Sequence, residues 1–182
     1  MKCSIRMAKS TDTKEILSIY APYVTNTGIS FEYEVPDPTE FEQRITSTLN
    51  KYPFLVAEDH GRICGYAYAG VFKARAAYDW SVETTIYLAP QAMGTGVAKE
   101  LYQELGKILL KQNVTNLNAC IAFPNPESIA FHVKNGYTTI GHFHKCGYKN
   151  GAWYDMVWME KTIAEHNVPP MPFIPLSELE LI

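Results

Sequence analysis

The stretch Thr85-Ile86-Tyr87-Leu88-Ala89-Pro90-Gln91-Ala92-Met93-Gly94-Thr95-Gly96-Val97-Ala98 constrains the fold more than any other part of the 182-residue chain. Its first half is β-branched and aromatic and predicts a strand over Val82–Leu88, which Ala89-Pro90 ends. Val97, Ala98, Leu101, Leu105, Ile108 and Leu109 then recur at helical spacing and predict a helix over Gly94–Gln112. Between the two, Gly94 and Gly96 let backbone amides turn toward one point without side-chain hindrance. A helix start adds free N–H groups and the positive end of its dipole, so the junction is an anion site suited to a pyrophosphate. Two phosphate-binding loops are excluded. G-x-x-x-x-G-K-[ST] is absent, and a dinucleotide fingerprint needs a third small residue at position 99, where Lys99 stands.

The flanking segments supply a sheet for this unit. Ser4–Met7 reads as a short strand, and Ser10–Thr13 offers caps for a helix carrying Ile16, Leu17, Ile19, Tyr20 and Val24. Asp37-Pro38-Thr39-Glu40 starts a second helix, with Asp37 as cap, Pro38 in the first position and Glu40 closing a capping box. Phe54–Glu58 and Ile63–Val71 flank His60-Gly61 and predict an antiparallel hairpin. Asn116–Ala122 is a strand, Asn125-Pro126 opens a helix ending at Asn135-Gly136, and Tyr137–Tyr148 and Trp153–Met159 flank an Asn150-Gly151 turn. The order is β-α-α-β-β-β-α-β-α-β-β, a mixed α/β domain over residues 1–161. From Thr162 the composition changes: Pro169, Pro170, Pro172 and Pro175 break regular structure while Met171, Phe173, Ile174, Leu176, Leu179, Leu181 and Ile182 stay apolar. This 162–182 tail is expected to pack on the domain or on a second subunit, or to hang as a disordered end.

Composition narrows the function classes. With 16 Lys+Arg against 19 Asp+Glu, the net charge of −3 gives no basic surface for nucleic acid or an anionic membrane. No stretch approaches the ~18 apolar residues of a membrane span, and MKCSIR at the start is followed by no apolar signal region. Cys3, Cys64, Cys120 and Cys146 include no C-x-x-C pair, so four reduced thiols in a cytoplasm are expected. The 13% aromatic content, with 12 Tyr, fits either core or a ligand-lined cleft.

Gln91-x-x-Gly94-x-Gly96-x-Ala98 resembles the acetyl-CoA loop of the GNAT N-acetyltransferases. A second family motif, a strand, an Asn and a helix ending in Gly-Tyr, is matched by Cys120–Asn125 and Ser128–Tyr137. Lys73–Glu83 and Asn150–Asp155 closely resemble the phosphinothricin and methionine sulfoximine acetyltransferase branch, and the likeness covers about residues 4–160. The resemblance implies a GNAT acyl-CoA N-acyltransferase fold, with a mostly antiparallel twisted sheet flanked by helices. It implies acetyl-CoA as co-substrate, a small amino-acid-like amine as acceptor, no metal and a homodimer. Acetylation of a protein N-terminus or a polyamine, and a non-catalytic acetyl-CoA sensor, are the alternatives.

The same resemblance assigns roles. Met93, Gly94, Thr95, Gly96, Val97 and Ala98 would hold the pyrophosphate, with Lys99 or Lys134 as local cations. Ile86, Tyr87 and Leu88 would align the pantetheine like an added strand, and the Leu88 amide would donate to the thioester oxygen. Asn125 would contact the cofactor arm as well as cap its helix. Glu83 is the expected general base, acting through water, and a desolvated Glu suits proton uptake near neutrality. His132 is either the acid that protonates the CoA thiolate or a packed helix histidine. Arg75 offers a guanidinium fork for an acceptor carboxylate, sulfone or phosphinate, and the other reading is a solvated loop arginine. Phe31, Tyr87 and Trp153 are candidate walls of the acceptor pocket. Separately, His142, His144 and Cys146 alternate on one strand face and have the donor types of a zinc site, but no fourth partner is evident and no metal is expected.

Overall fold

The computed structural model describes residues 3–180; Met1 and Lys2, and Leu181 and Ile182 of the expected tail, lie outside the described residues. In chain order the elements are β1 (Ser4–Met7), α1 (Thr13–Asn26), α2 (Pro38–Lys51), β2 (Phe54–Asp59), β3 (Arg62–Val71), β4 (Ser81–Leu88), α3 (Val97–Lys111), β5 (Asn116–Phe123), α4 (Pro126–Lys134), β6 (Thr138–Lys149) and β7 (Ala152–Thr162). The strands form one sheet in the order β1-β2-β3-β4-β5-β7-β6. Every neighbouring pair is antiparallel except β4 and β5, which are parallel. The expected mixed fold with a mostly antiparallel sheet is thus present.

The sheet divides two apolar cores, which explains why Phe54-Leu55-Val56-Ala57 is a continuous buried run. Phe54 and Val56 point to Ile16, Tyr20, Phe41 and Ile45 of α1 and α2. Leu55 and Ala57 point to the other side, where Leu101, Leu105 and Leu109 of α3 complete a second cluster with Ala119 and Met159. Tyrosines thicken the first core: Tyr66 and Tyr68 stack on Phe54, and Tyr87 meets the ring of Tyr20 edge-on with centroids 5.0 Å apart.

The parallel pair in the middle is short. β4 and β5 are in register only at Ser81–Asn116, Val82–Leu117 and Glu83–Asn118. Beyond that point β4 stays paired with β3 as far as Leu88, while β5 follows β7 as far as Phe123. Each strand keeps its outer partner, so the two inner edges part and leave a wedge. Two buried side chains fix the vertex: Thr84 Oγ1 donates to the Asn118 carbonyl at 3.1 Å, and Asn118 Nδ2 donates to the Val82 carbonyl at 3.2 Å.

Three local expectations change. The central helix begins at Val97, not Gly94, because Gly94 (φ 73°) and Gly96 (φ 96°) are both left-handed and cannot belong to a right-handed helix. Asp37 caps α2 by accepting from the Glu40 amide at 2.9 Å, but the Glu40 carboxylate turns to Arg44 at 2.5 Å and closes no box. Strand β6 carries an irregularity between Phe143 and Gly147, with Lys145 at φ 47°, so His142, His144 and Cys146 do not share one regular face.

The segment after β7 folds back on the domain. The Trp80 indole donates to the Met171 carbonyl at 2.7 Å, and Asn113 Nδ2 donates to the Pro172 carbonyl at 2.7 Å. Buried Gln112 accepts the Ile174 amide on its backbone carbonyl at 3.1 Å and sends Nε2 to the carbonyls of both Lys51 and Ile174 at 2.8 Å. Phe173 packs on Tyr52 with centroids 5.6 Å apart.

Candidate active site

The wedge between β4 and β5 is the floor of a cleft of about 240 Å³, bounded by Glu83, Thr85, Tyr87, Cys120, Asn125 and His132 among others. It continues into a second hollow of about 260 Å³ that shares Ile86, Tyr87 and Asn125 and reaches Met93, Gly94 and Ala98. One groove therefore runs from the glycine turn, past the free edge of β4, to Glu83. On the opposite side, Tyr68 and Tyr87 separate it from a third hollow of about 280 Å³ that contains Glu32 and Arg44. A larger hollow of about 390 Å³, where the tail crosses Trp80 and Asn116, shares no residue with the groove.

At the glycine end, Pro90–Ala92 make a 3₁₀ turn and the chain enters α3 through Gly96 as the N-terminal cap. Thr95 donates its amide and its hydroxyl back to the Ala92 carbonyl. The amides of Gly94, Gly96, Val97 and Ala98 donate to no protein group among the described residues. A Cβ on either glycine would meet nothing within 4 Å, so conformation rather than space demands glycine here. Four free N–H groups beside a helix N-terminus have the donor arrangement that suits an anion. Asn125 stands across the groove. Its Oδ1 caps α4 by accepting from the Ser128 amide at 3.2 Å, and the residue lines both hollows.

Glu83 sits at the vertex, at the last position where β4 pairs with β5. It is half-buried, and that burial raises its carboxyl above the ordinary value, with Lys73 pulling weakly the other way. His132, on α4, is 3% exposed. Its Nδ1 lies 2.8 Å from the Ser128 carbonyl, which only accepts, so Nδ1 carries the proton. Nε2 is then the acceptor for the Tyr102 hydroxyl at 3.1 Å. Burial lowers the His132 pKa, more than the Ser128 bond restores it, so the ring is neutral at pH 7. Tyr102 is itself buried, which holds its hydroxyl protonated, and Phe131, His132 and Tyr137 pack around its ring.

The other expected residues are placed differently. Phe31 does not line the groove; it lies in the 27–37 connection against Tyr154, and a side chain at Gly147 would strike its ring. Arg75 is exposed on the 72–80 connection and makes no side-chain hydrogen bond among the described residues. Trp153 is 61% exposed at the β6–β7 turn. Residue types alone did not reveal two other groups. Arg44 holds Glu32 and Glu40, both at 2.5 Å. Lys149, 2% exposed, buries its ammonium beneath the 27–37 connection and donates to the carbonyls of Val24 and Ser30, both at 2.6 Å. With the Tyr33 hydroxyl on the Tyr148 carbonyl at 2.6 Å, these bonds fasten that connection to the β6–β7 hairpin.

Comparison with known proteins agrees with this geometry. Residues 5–158 match the family described as an acetyltransferase (GNAT) domain. The chain is 34% identical over 175 residues to a phosphinothricin N-acetyltransferase of Streptomyces viridochromogenes, covering 96% of this chain and 95% of that protein. It is 28% identical to an L-methionine sulfoximine/L-methionine sulfone acetyltransferase of Salmonella typhimurium, covering 91% and 98%. Among solved structures, a GNAT superfamily phosphinothricin acetyltransferase from Sinorhizobium meliloti in complex with AcCoA superposes with a TM-score of 0.88 at 33% identity, covering 94% of each chain. The chain belongs to the GNAT acetyltransferases and is an acetyl-CoA-dependent N-acetyltransferase.

Proposed function

We propose that this enzyme acetylates the α-amine of a small amino-acid-like acceptor of the phosphinothricin, methionine sulfoximine or methionine sulfone type. The observation that carries the reading is Glu83, a half-buried carboxylate at the point where β4 and β5 part, facing a groove that ends in four free amides. In this scheme Gly94–Ala98 receive the pyrophosphate of acetyl-CoA. The free edges of Ile86, Tyr87 and Leu88 pair with the pantetheine, and the Leu88 amide polarises the thioester carbonyl. The acceptor approaches from the side of Tyr68, Tyr87, Glu32 and Arg44.

Glu83 takes a proton from the acceptor ammonium through a water, leaving the amine lone pair free to attack. A carboxyl raised toward neutrality is matched to that step. Bond formation to the carbonyl carbon gives a tetrahedral oxyanion, and its collapse breaks the C–S bond. The nitrogen then loses its second proton and the departing thiolate gains one, so the transfer balances without an external acid. The neutral state of His132 supports a positioning role: Nε2 holds the Tyr102 hydroxyl beside the groove instead of delivering a proton. Phe31 and Arg75 act in this reading from the rim, through the connections that border the acceptor side.

The exposed edge strand β6 displays Ile140 and Phe143, and with Tyr148 and Trp153 on the same hairpin it is the surface we assign to a homodimer. Four unbridged cysteines fit a cytoplasmic protein. Thiol release with phosphinothricin, methionine sulfoximine, methionine sulfone, spermidine and an N-terminal peptide tests the acceptor class. Turnover confined to the amino-acid analogues is expected. Faster turnover of spermidine or the peptide would replace this acceptor class, and acetyl-CoA binding without thiol release for any amine would make the protein a sensor.

A further inference from the structure

Outside the groove, one side-chain cluster remains unused. His142 and His144 on β6 and Asp155 on β7 each bring one ligand atom within 4.8 Å of the others. His142 Nε2 lies 2.8 Å and His144 Nδ1 3.0 Å from the same oxygen, Asp155 Oδ2. The second carboxylate oxygen, Oδ1, accepts the Lys145 amide at 2.7 Å. Lys145 is the residue with φ 47° at the strand irregularity, so the backbone distortion of β6 aims an N–H at the carboxylate and fixes its orientation. The two imidazoles stack with centroids 4.5 Å apart, and Phe123 closes one side of His142.

We propose that His142, His144 and Asp155 form a binding site for a divalent transition metal of the zinc class. Two imidazole nitrogens and one carboxylate oxygen are a donor set for Zn²⁺, Co²⁺, Ni²⁺ or Cu²⁺, whereas Mg²⁺ and Ca²⁺ prefer all-oxygen shells. Metal–ligand bonds near 2.0–2.2 Å bring the donors of one ion to about 3 Å from one another, the separation already present between each histidine and Asp155. The remaining adjustment falls on His144, whose side chain is 77% exposed and free to turn. The Lys145 amide on Oδ1 is an outer-shell contact of the kind that orients a metal-binding carboxylate. In the single chain both histidines are exposed, so water would complete the coordination there. Cys146, the third donor type on the strand, is not part of the set: the irregularity sends its thiol to the Tyr154 carbonyl at 3.8 Å.

None of the three residues lines the catalytic groove, so the site is separate from acetyl transfer. The test is titration of tag-free, metal-stripped protein with Zn²⁺ by calorimetry and with Co²⁺ by visible absorption, with Mg²⁺ as the comparison ion. One Zn²⁺ per chain is expected, with no Mg²⁺ uptake. His142→Ala and His144→Ala should each weaken Zn²⁺ binding at least about tenfold, while Cys146→Ser should leave it unchanged. Asp155→Asn probes the carboxylate, and the histidine variants stand in for it if loss of the Lys145 contact unfolds the hairpin. Equal Zn²⁺ binding by wild type and the double histidine variant, loss of binding in Cys146→Ser, or no Zn²⁺ binding by wild type would each overturn the proposal.

Discussion

At the scale of a single residue, the burial of Glu83, the proposed general base, comes at a cost in stability. Its folded pKa is raised, so the fold favours the protonated carboxyl and ionised Glu83 destabilises the native state. The contribution is favourable below the ordinary value of 4.5 and is lost as pH rises through the folded value. Glu83→Gln should therefore raise the melting temperature at pH 7, with the gain shrinking toward pH 4 in a calorimetric pH series. The same change should lower kcat by about 10²–10⁴-fold. His132 has the opposite sign: its lowered folded pKa means stability is present above about 6.5 and falls as pH drops toward the folded value. His132→Asn should flatten that part of the stability profile. If the acid limb persists unchanged, another group causes it.

At the scale of elements, two joints organise the site, and only one of them was legible in the sequence. The glycine turn was visible because left-handed backbone selects glycine, and Gly94 and Gly96 announce it through residue type alone. What residue type did not show was where the helix begins, since Val97 follows from the φ values and not from the apolar spacing. Gly96→Ala should strain the turn by about 1 kcal/mol and weaken acetyl-CoA binding more than acceptor binding, measured by calorimetry and acceptor KM. The other joint is the fastening of the 27–37 connection to the β6–β7 hairpin. Lys149 carries no signal in the sequence, because its burial depends on Val24 and Ser30, more than a hundred residues away. Lys149→Met removes both bonds while keeping the bulk. It should raise the acceptor KM severalfold and leave acetyl-CoA binding unchanged, with Lys149→Arg recovering little because the buried space is fitted to an ammonium. A parallel loss of affinity for both substrates would make Lys149 a general stability residue.

Over the whole molecule, the order of elements was readable from caps, turns and periodicity, whereas the separation of β4 from β5 was not. That wedge depends on β3 and β7 holding their partners outward and on Thr84 and Asn118 pinning the vertex, all non-local relations. The aromatic excess resolves the same way: Tyr20, Tyr66 and Tyr87 are core on one side of the sheet, and Tyr68 and Tyr87 also wall the groove. The tail is likewise a tertiary feature, since Phe173 and Ile174 cover Tyr52 and buried Gln112 of the same chain, and the turn at Leu176 packs on α2. Ending the chain at Asn167 would leave Gln112, Asn113 and Trp80 without these partners. We expect a loss of about 2–4 kcal/mol in urea unfolding with acetyl-CoA binding retained under native conditions. An unchanged unfolding midpoint would mean that the tail does not hold in solution.

All of these contacts serve one claim, that a desolvated carboxylate at the strand vertex activates an amine against acetyl-CoA held along β4. Wild type and Glu83→Gln, compared for thiol release from acetyl-CoA with methionine sulfone and for acetyl-CoA affinity by calorimetry, test it most directly. Release should fall at least about a hundredfold while affinity for acetyl-CoA is unchanged. Release at the wild-type rate, or a matching loss of acetyl-CoA affinity, would contradict it.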